Sequence, residues 1–116
     1  MTINVKVTTS NPECRELFTR QSPKRSSKWA DCKFYVDEPI EKCDWWIICH
    51  GSSLKKIESQ ICDPEHIVFF FMEPFKNGVP KKFFDQFSAV MLTDTTVEHR
   101  KVVLKNAITW WAGINV

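Results

Sequence analysis

The chain has 116 residues, with 16 Lys+Arg against 14 Asp+Glu, a net charge of +2, 43% hydrophobic and 13% aromatic residues. That length supports one core and not two, and three Gly with six Pro exclude a fibrous or low-complexity chain. So small a charge argues against nucleic acid or an anionic membrane as the main partner.

The longest apolar run, Ile67-Val68-Phe69-Phe70-Phe71-Met72, is too short to span a bilayer. The start, Met1-Thr2-Ile3-Asn4-Val5-Lys6, lacks the basic region and apolar stretch of a signal peptide. The expectation is a soluble, cytoplasmic protein without a transmembrane segment. Cys14, Cys32, Cys43, Cys49 and Cys62 are odd in number, unevenly spaced and form no C-x-x-C, which reads as free thiols in a reducing compartment. A zinc site drawn from Cys43, Cys49, His50, Cys62 and His66 has no ligand-knuckle spacing, so no metal is expected.

Ile3-Asn4-Val5-Lys6-Val7 alternates with period two and predicts a strand. Ser10 or Asn11 is placed to cap a helix that starts at Pro12 and runs through Leu17 and Phe18. Residues 20–28, polar and basic with one Pro, read as a loop. Cys32 to Val36 predicts a short strand, and Trp45-Trp46-Ile47-Ile48-Cys49 a strand covered on both faces. Ser52 or Ser53 then caps a helix with Leu54, Ile57 and Ile61 at helical spacing, stopped by Pro64.

The second half repeats the plan. Ile67 to Met72 predicts a buried strand ended by Glu73-Pro74. Asn77-Gly78 is a turn, and Pro80 opens a helix that puts Phe83, Phe84 and Phe87 on one side. Ala89 to Leu92 predicts a fourth apolar strand, with Thr93 to Thr96 as a loop behind it, and one more strand is placed around Ala107 to Trp111. Strands alternating with helices imply a three-layer, Rossmann-like α/β domain with a mostly parallel sheet. It carries no G-x-G-x-x-G, no P-loop motif and no G-x-S-x-G.

In an open parallel sheet, ligands sit beyond the carboxyl ends of the strands. The informative segments are therefore His50-Gly51-Ser52, Met72-Glu73-Pro74 and Thr93-Asp94. Glu73 follows the most apolar strand, where desolvation raises a carboxyl pKa toward general-base work near neutral pH. The same residue also suits a turn cap or a solvent pair with Lys76.

The stretch VFFFMEPFKNGVPKKFFDQFSAVMLTD, followed by ITWWAGIN, resembles the N-terminal half of the family 10 glycosyltransferases, the α-1,3/1,4-fucosyltransferases and their bacterial relatives. In that family an apolar strand ends in a Glu-containing motif. A Phe-rich stretch, a short strand and an aromatic pair follow; here these are Met72-Glu73-Pro74, Phe83 to Phe87, Val90-Met91-Leu92 and Trp110-Trp111. The similarity covers roughly residues 44–115. It implies a GT-B enzyme whose N-terminal α/β domain binds a carbohydrate acceptor and whose C-terminal domain holds GDP-fucose or a related nucleotide sugar. It also implies that Glu73 is the general base. The donor-binding domain would lie beyond residue 116, so the chain alone is expected to be inactive and to bind no donor.

Trp45, Trp46, Trp110 and Trp111 lie in apolar runs and read as core or interface. Trp29, among polar neighbours, is the better sugar-stacking candidate. Lys24, Arg25 and Lys28 are either a solvated loop face or a contact for an anionic acceptor or the partner domain. His50 either orients an acceptor hydroxyl or satisfies a turn, and Asp94 and His99 are weaker candidates. The competing reading is a small non-catalytic α/β interaction or regulatory domain whose exposed C-terminal aromatics bind a partner.

Overall fold

A computed structural model describes residues 1–9, 14–49, 57–71, 81–92 and 98–104. Its strands are β1 (Ile3–Thr8), β2 (Lys28–Trp29), β3 (Cys32–Val36), β4 (Trp45–Cys49), β5 (Ile67–Phe71), β6 (Ala89–Leu92) and β7 (Val102–Leu104). One α-helix, α1 (Cys14–Gln21), and short 3₁₀ segments at Pro23–Arg25, Pro64–His66 and Lys81–Gln86 complete the described elements.

The strands form one sheet in the order β2-β3-β1-β4-β5-β6-β7. Every neighbouring pair is parallel except β2–β3, an antiparallel hairpin in which Trp29 opposes Cys32. The fold is therefore partly α/β: a mostly parallel sheet with few helices among the described residues. None of those helices is long and apolar enough to cross a membrane.

Period-two alternation divides the apolar side chains between the two faces. One face gathers Trp46, Ile48, Phe69, Val90 and Leu92, and Phe84 and Phe87 of the segment that follows Pro80 cover it. Phe69 is fully buried and lies between rings, 5.0 Å from Phe87 in a stacked pair and 5.5 Å from Phe83 edge-on. The other face gathers Val5, Val7, Val36 and Cys49, with Phe34, Ile47 and Phe70 packed against them. A parallel sheet needs apolar residues on both faces, which explains the near-continuous hydrophobic runs of β4 and β5.

Three sequence expectations need correction. No helix runs through residues 57–63: this stretch is extended, Ile57 and Ile61 are 101% and 61% exposed, and Ile61 forms a parallel bridge with Lys42. Helical spacing of the isoleucines misled because Glu58 and Gln60, not the isoleucines, face the protein. The Phe-rich segment is 3₁₀ over Lys81–Gln86, still with Phe84 and Phe87 inward. Residues 20–28 are only partly loop, since α1 extends to Gln21 and Lys28 begins β2. A further strand, β7 at Val102–Leu104, is only three residues long and has no period by which the sequence could be read for it. The strand expected around residues 107–111, the turn at Asn77-Gly78 and the proposed caps at Ser10, Asn11, Ser52 and Ser53 lie outside the described residues.

Candidate functional site at the carboxyl edge of the sheet

The chain leaves β1 to add β3 on one side, then returns to add β4 on the other. The strand order reverses between β1 and β4, the position where open parallel sheets place ligands beyond the strand ends. The groups at this edge come from Thr8 at the end of β1 and Thr9 after it, Asp37 after β3, and Cys49 at the end of β4.

Asp37 adopts φ 51, a left-handed conformation that Asp tolerates better than most residues. Its carboxylate accepts the Thr9 backbone N–H at 2.8 Å and also the Thr9 hydroxyl, tying the ends of β3 and β1 together. Beside it runs a polar chain on the Trp46 face of the sheet. Trp46 Nε1 donates to Thr8 Oγ1 at 2.9 Å, and Thr8 Oγ1 donates to Glu58 Oε2 at 3.2 Å. Lys6 Nζ lies 2.7 Å from Glu58 Oε1, donates to Gln60 Oε1 at 2.8 Å and sits 5.2 Å from the Trp46 ring.

A lysine only 6% exposed needs such partners, because an unpaired buried ammonium is strongly disfavoured. Gln60 then donates onward to the carbonyls of Ile40 and Glu41 at 2.9 and 3.1 Å. Burying Lys6 thus dictates the extended path of residues 57–61, which alternate Glu58 and Gln60 inward with Ile57 and Ile61 outward. Sequence reasoning missed Lys6, Thr8, Asp37, Glu58 and Gln60. The available signal was Lys6 between Val5 and Val7, a position that alternation assigns to the opposite face and so to solvent.

Three candidate residues follow the ends of three adjacent strands. His50 comes directly after Cys49, Glu73 two residues after Phe71, and Asp94 two residues after Leu92; all three lie outside the described residues. The strand ends that lead into them are level, with Cys49 beside Phe70 and Phe71 beside Leu92. They span two strand spacings, about 10 Å.

Trp29, Lys24 and Arg25 belong elsewhere. Trp29 is 62% exposed and opposes the first residue of β3, at the amino edge. Lys24 and Arg25 sit in the exposed 3₁₀ turn before β2, both at positive φ. Since β2 is four strand spacings from β5, about 19 Å, these three residues do not join the row that leads to Glu73.

Trp46 is buried in the core, as its apolar neighbours predict, whereas Trp45 is partly exposed and stacks on His66 at 4.2 Å. Trp110 and Trp111 are outside the described residues. His99 is engaged structurally: its Nδ1 accepts the Lys101 N–H at 3.1 Å, and its Nε2 lies 3.0 Å from Asp85. Arg100 also donates to Asp85 at 3.0 Å and, as the main cause, holds that carboxyl below its ordinary pKa. Among the described residues no cluster of three or more His, Cys, Asp or Glu is arranged to hold a metal ion. Cys32, Cys43 and Cys62 are free thiols.

No protein-family profile, no curated protein sequence and no solved structure matches this chain.

Proposed function

We propose that the chain is the acceptor-binding N-terminal domain of an inverting, fucosyltransferase-like glycosyltransferase with three-layer GT-B architecture. The observation that carries this reading is the level row of parallel strand ends, β4, β5 and β6, beside the order reversal, leading into His50, Glu73 and Asp94. It adds to the motif resemblance around Met72-Glu73-Pro74.

In this reading the Glu73 carboxylate takes the proton of an acceptor hydroxyl while that oxygen attacks the anomeric carbon of the donor sugar. The nucleoside diphosphate leaves from the opposite side, and the configuration inverts. His50 and Asp94 orient acceptor hydroxyls. GDP-fucose or a related nucleotide sugar binds a C-terminal domain beyond residue 116, so this domain supplies the base and the acceptor surface only.

The test is Glu73→Gln in the two-domain protein. Turnover is expected to fall by on the order of 10²–10⁴, with thermal stability nearly unchanged. Retained turnover together with lost stability would make Glu73 a turn cap and overturn the reading. The isolated chain is expected to show no binding of GDP-fucose by calorimetry, and micromolar binding would also overturn the domain assignment.

A further inference from the structure

The crossover from β4 to β5 comes back over the Trp46 face through residues 57–62, and its amino-edge end brings two thiols together. Lys42 and Ile61 form an isolated parallel bridge, and Cys43 N donates to Ile61 O at 3.1 Å. Cys43 and Cys62, the next residue of each segment, are therefore neighbours one strand spacing apart, about 4.8 Å between Cα atoms. That separation lies within the roughly 4.4–6.8 Å that a disulfide spans. The side chains lie on the same side as well: Cys62 packs against the cluster that contains Cys43. Cys62 Sγ also contacts the Asp44 carbonyl at 3.8 Å. Both are free, Cys43 buried and Cys62 partly accessible.

We infer that Cys43 and Cys62 form a modification site, a dithiol that a low-molecular-weight disulfide of the glutathione class converts to an intrachain bridge. Cys62, the accessible member, loses its proton and attacks one sulfur of the reagent, expelling one glutathione thiolate. Cys43 then loses its proton and displaces the second glutathione from Cys62. Two protein S–H bonds and one reagent S–S bond become one protein S–S bond and two reagent thiols, so the reagent is reduced as the protein is oxidised.

The bridge closes a loop that contains β4 and the crossover as far as Cys62. It pins the amino-edge end of the segment whose Glu58 and Gln60 hold Lys6. Burial, and then Cys43, push the Cys62 thiol up to about 12, which makes the first exchange slow at neutral pH and faster as pH rises. This inference is independent of the proposed glycosyl transfer.

The experiment treats the folded chain with oxidised glutathione at pH 7.5 and 8.5, then alkylates, digests and maps it by mass spectrometry. The expected product is one linked peptide joining Cys43 to Cys62, formed about tenfold faster at the higher pH. Melting temperature should rise by on the order of 5–10 °C in the bridged protein. Cys32→Ser keeps both results, and Cys62→Ser, a change at the accessible member, abolishes both. A bridge through Cys14, Cys32 or Cys49, a product that stops at glutathione on Cys62, or no linked peptide at all would overturn the inference.

Discussion

Lys6 and Glu58 are 52 residues apart in sequence, yet Lys6 Nζ lies 2.7 Å from Glu58 Oε1 on a face of the sheet where the ammonium is almost wholly buried. The pair is asymmetric, because the Glu58 side chain stays 37% exposed. Its worth lies less in attraction than in what its loss leaves behind: a buried cation whose remaining partners are Gln60 and the Trp46 ring. Glu58→Ala is expected to destabilise the fold by about 2 kcal/mol, discounted for the exposure of the carboxylate. Lys6→Met combined with Glu58→Gln should recover most of that loss, because no charge is then buried. Denaturant unfolding of the single and double variants checks this, and additive losses would show that the two residues are not coupled.

The hairpin between β2 and β3 turns through Ala30 at φ 52, a conformation that costs a residue with a Cβ. Ala30→Gly should therefore stabilise the protein by about 0.5 kcal/mol, the relief of strain exceeding the entropy that Gly adds to the unfolded chain. Asp37, at φ 51, should behave oppositely. Its carboxylate holds Thr9, so Asp37→Gly should cost about 1 kcal/mol despite the same relief. Melting temperatures of the two variants moving in the same direction would contradict this.

Asp85 sets a pH dependence. Its carboxyl, hydrogen-bonded by Arg100 and near His99, has a folded pKa below the ordinary 3.8. A depressed carboxyl pKa adds stability that is present above the unfolded value and is lost as pH falls through the folded one. The contribution should thus be complete above about pH 4 and fade below it. Arg100→Ala is expected to move the Asp85 titration back upward, read by carbon-detected NMR of the carboxyl. High salt should shrink the difference, because the group is exposed.

Phe69→Ala should be the most damaging of these changes, at about 3–5 kcal/mol. The ring is fully buried among Phe83, Phe84 and Phe87, so its removal opens a cavity between the sheet and the 3₁₀ segment that covers it. Phe69→Leu should cost less than half as much. Equal losses from the two variants would mean that the segment collapses onto the gap or was never packed.

Alternation was enough to find β1 and apolar run length to find β4, β5 and β6, because a strand buried on both faces has to be apolar along its length; β3 was also placed where it lies. They also put Phe83, Phe84 and Phe87 on one side of their segment, where Phe84 and Phe87 are buried, and read Trp46 as core or interface, where it is buried. The strand ends that lead into His50, Glu73 and Asp94 were legible for the same reason, since an apolar run shows where it stops. The order β2-β3-β1-β4-β5-β6-β7 was not legible, because each strand carries the same kind of pattern whatever its neighbour. Only that order locates the reversal beside β1 and puts β2, with Trp29, four strand spacings, about 19 Å, from β5, with Lys24 and Arg25 in the turn that precedes β2. Residues 57–62 show the same limit: local spacing favours a helix, but the buried Lys6 ammonium requires Glu58 and Gln60 to face inward together. An extended chain satisfies that requirement, and its partner is a residue more than fifty positions away.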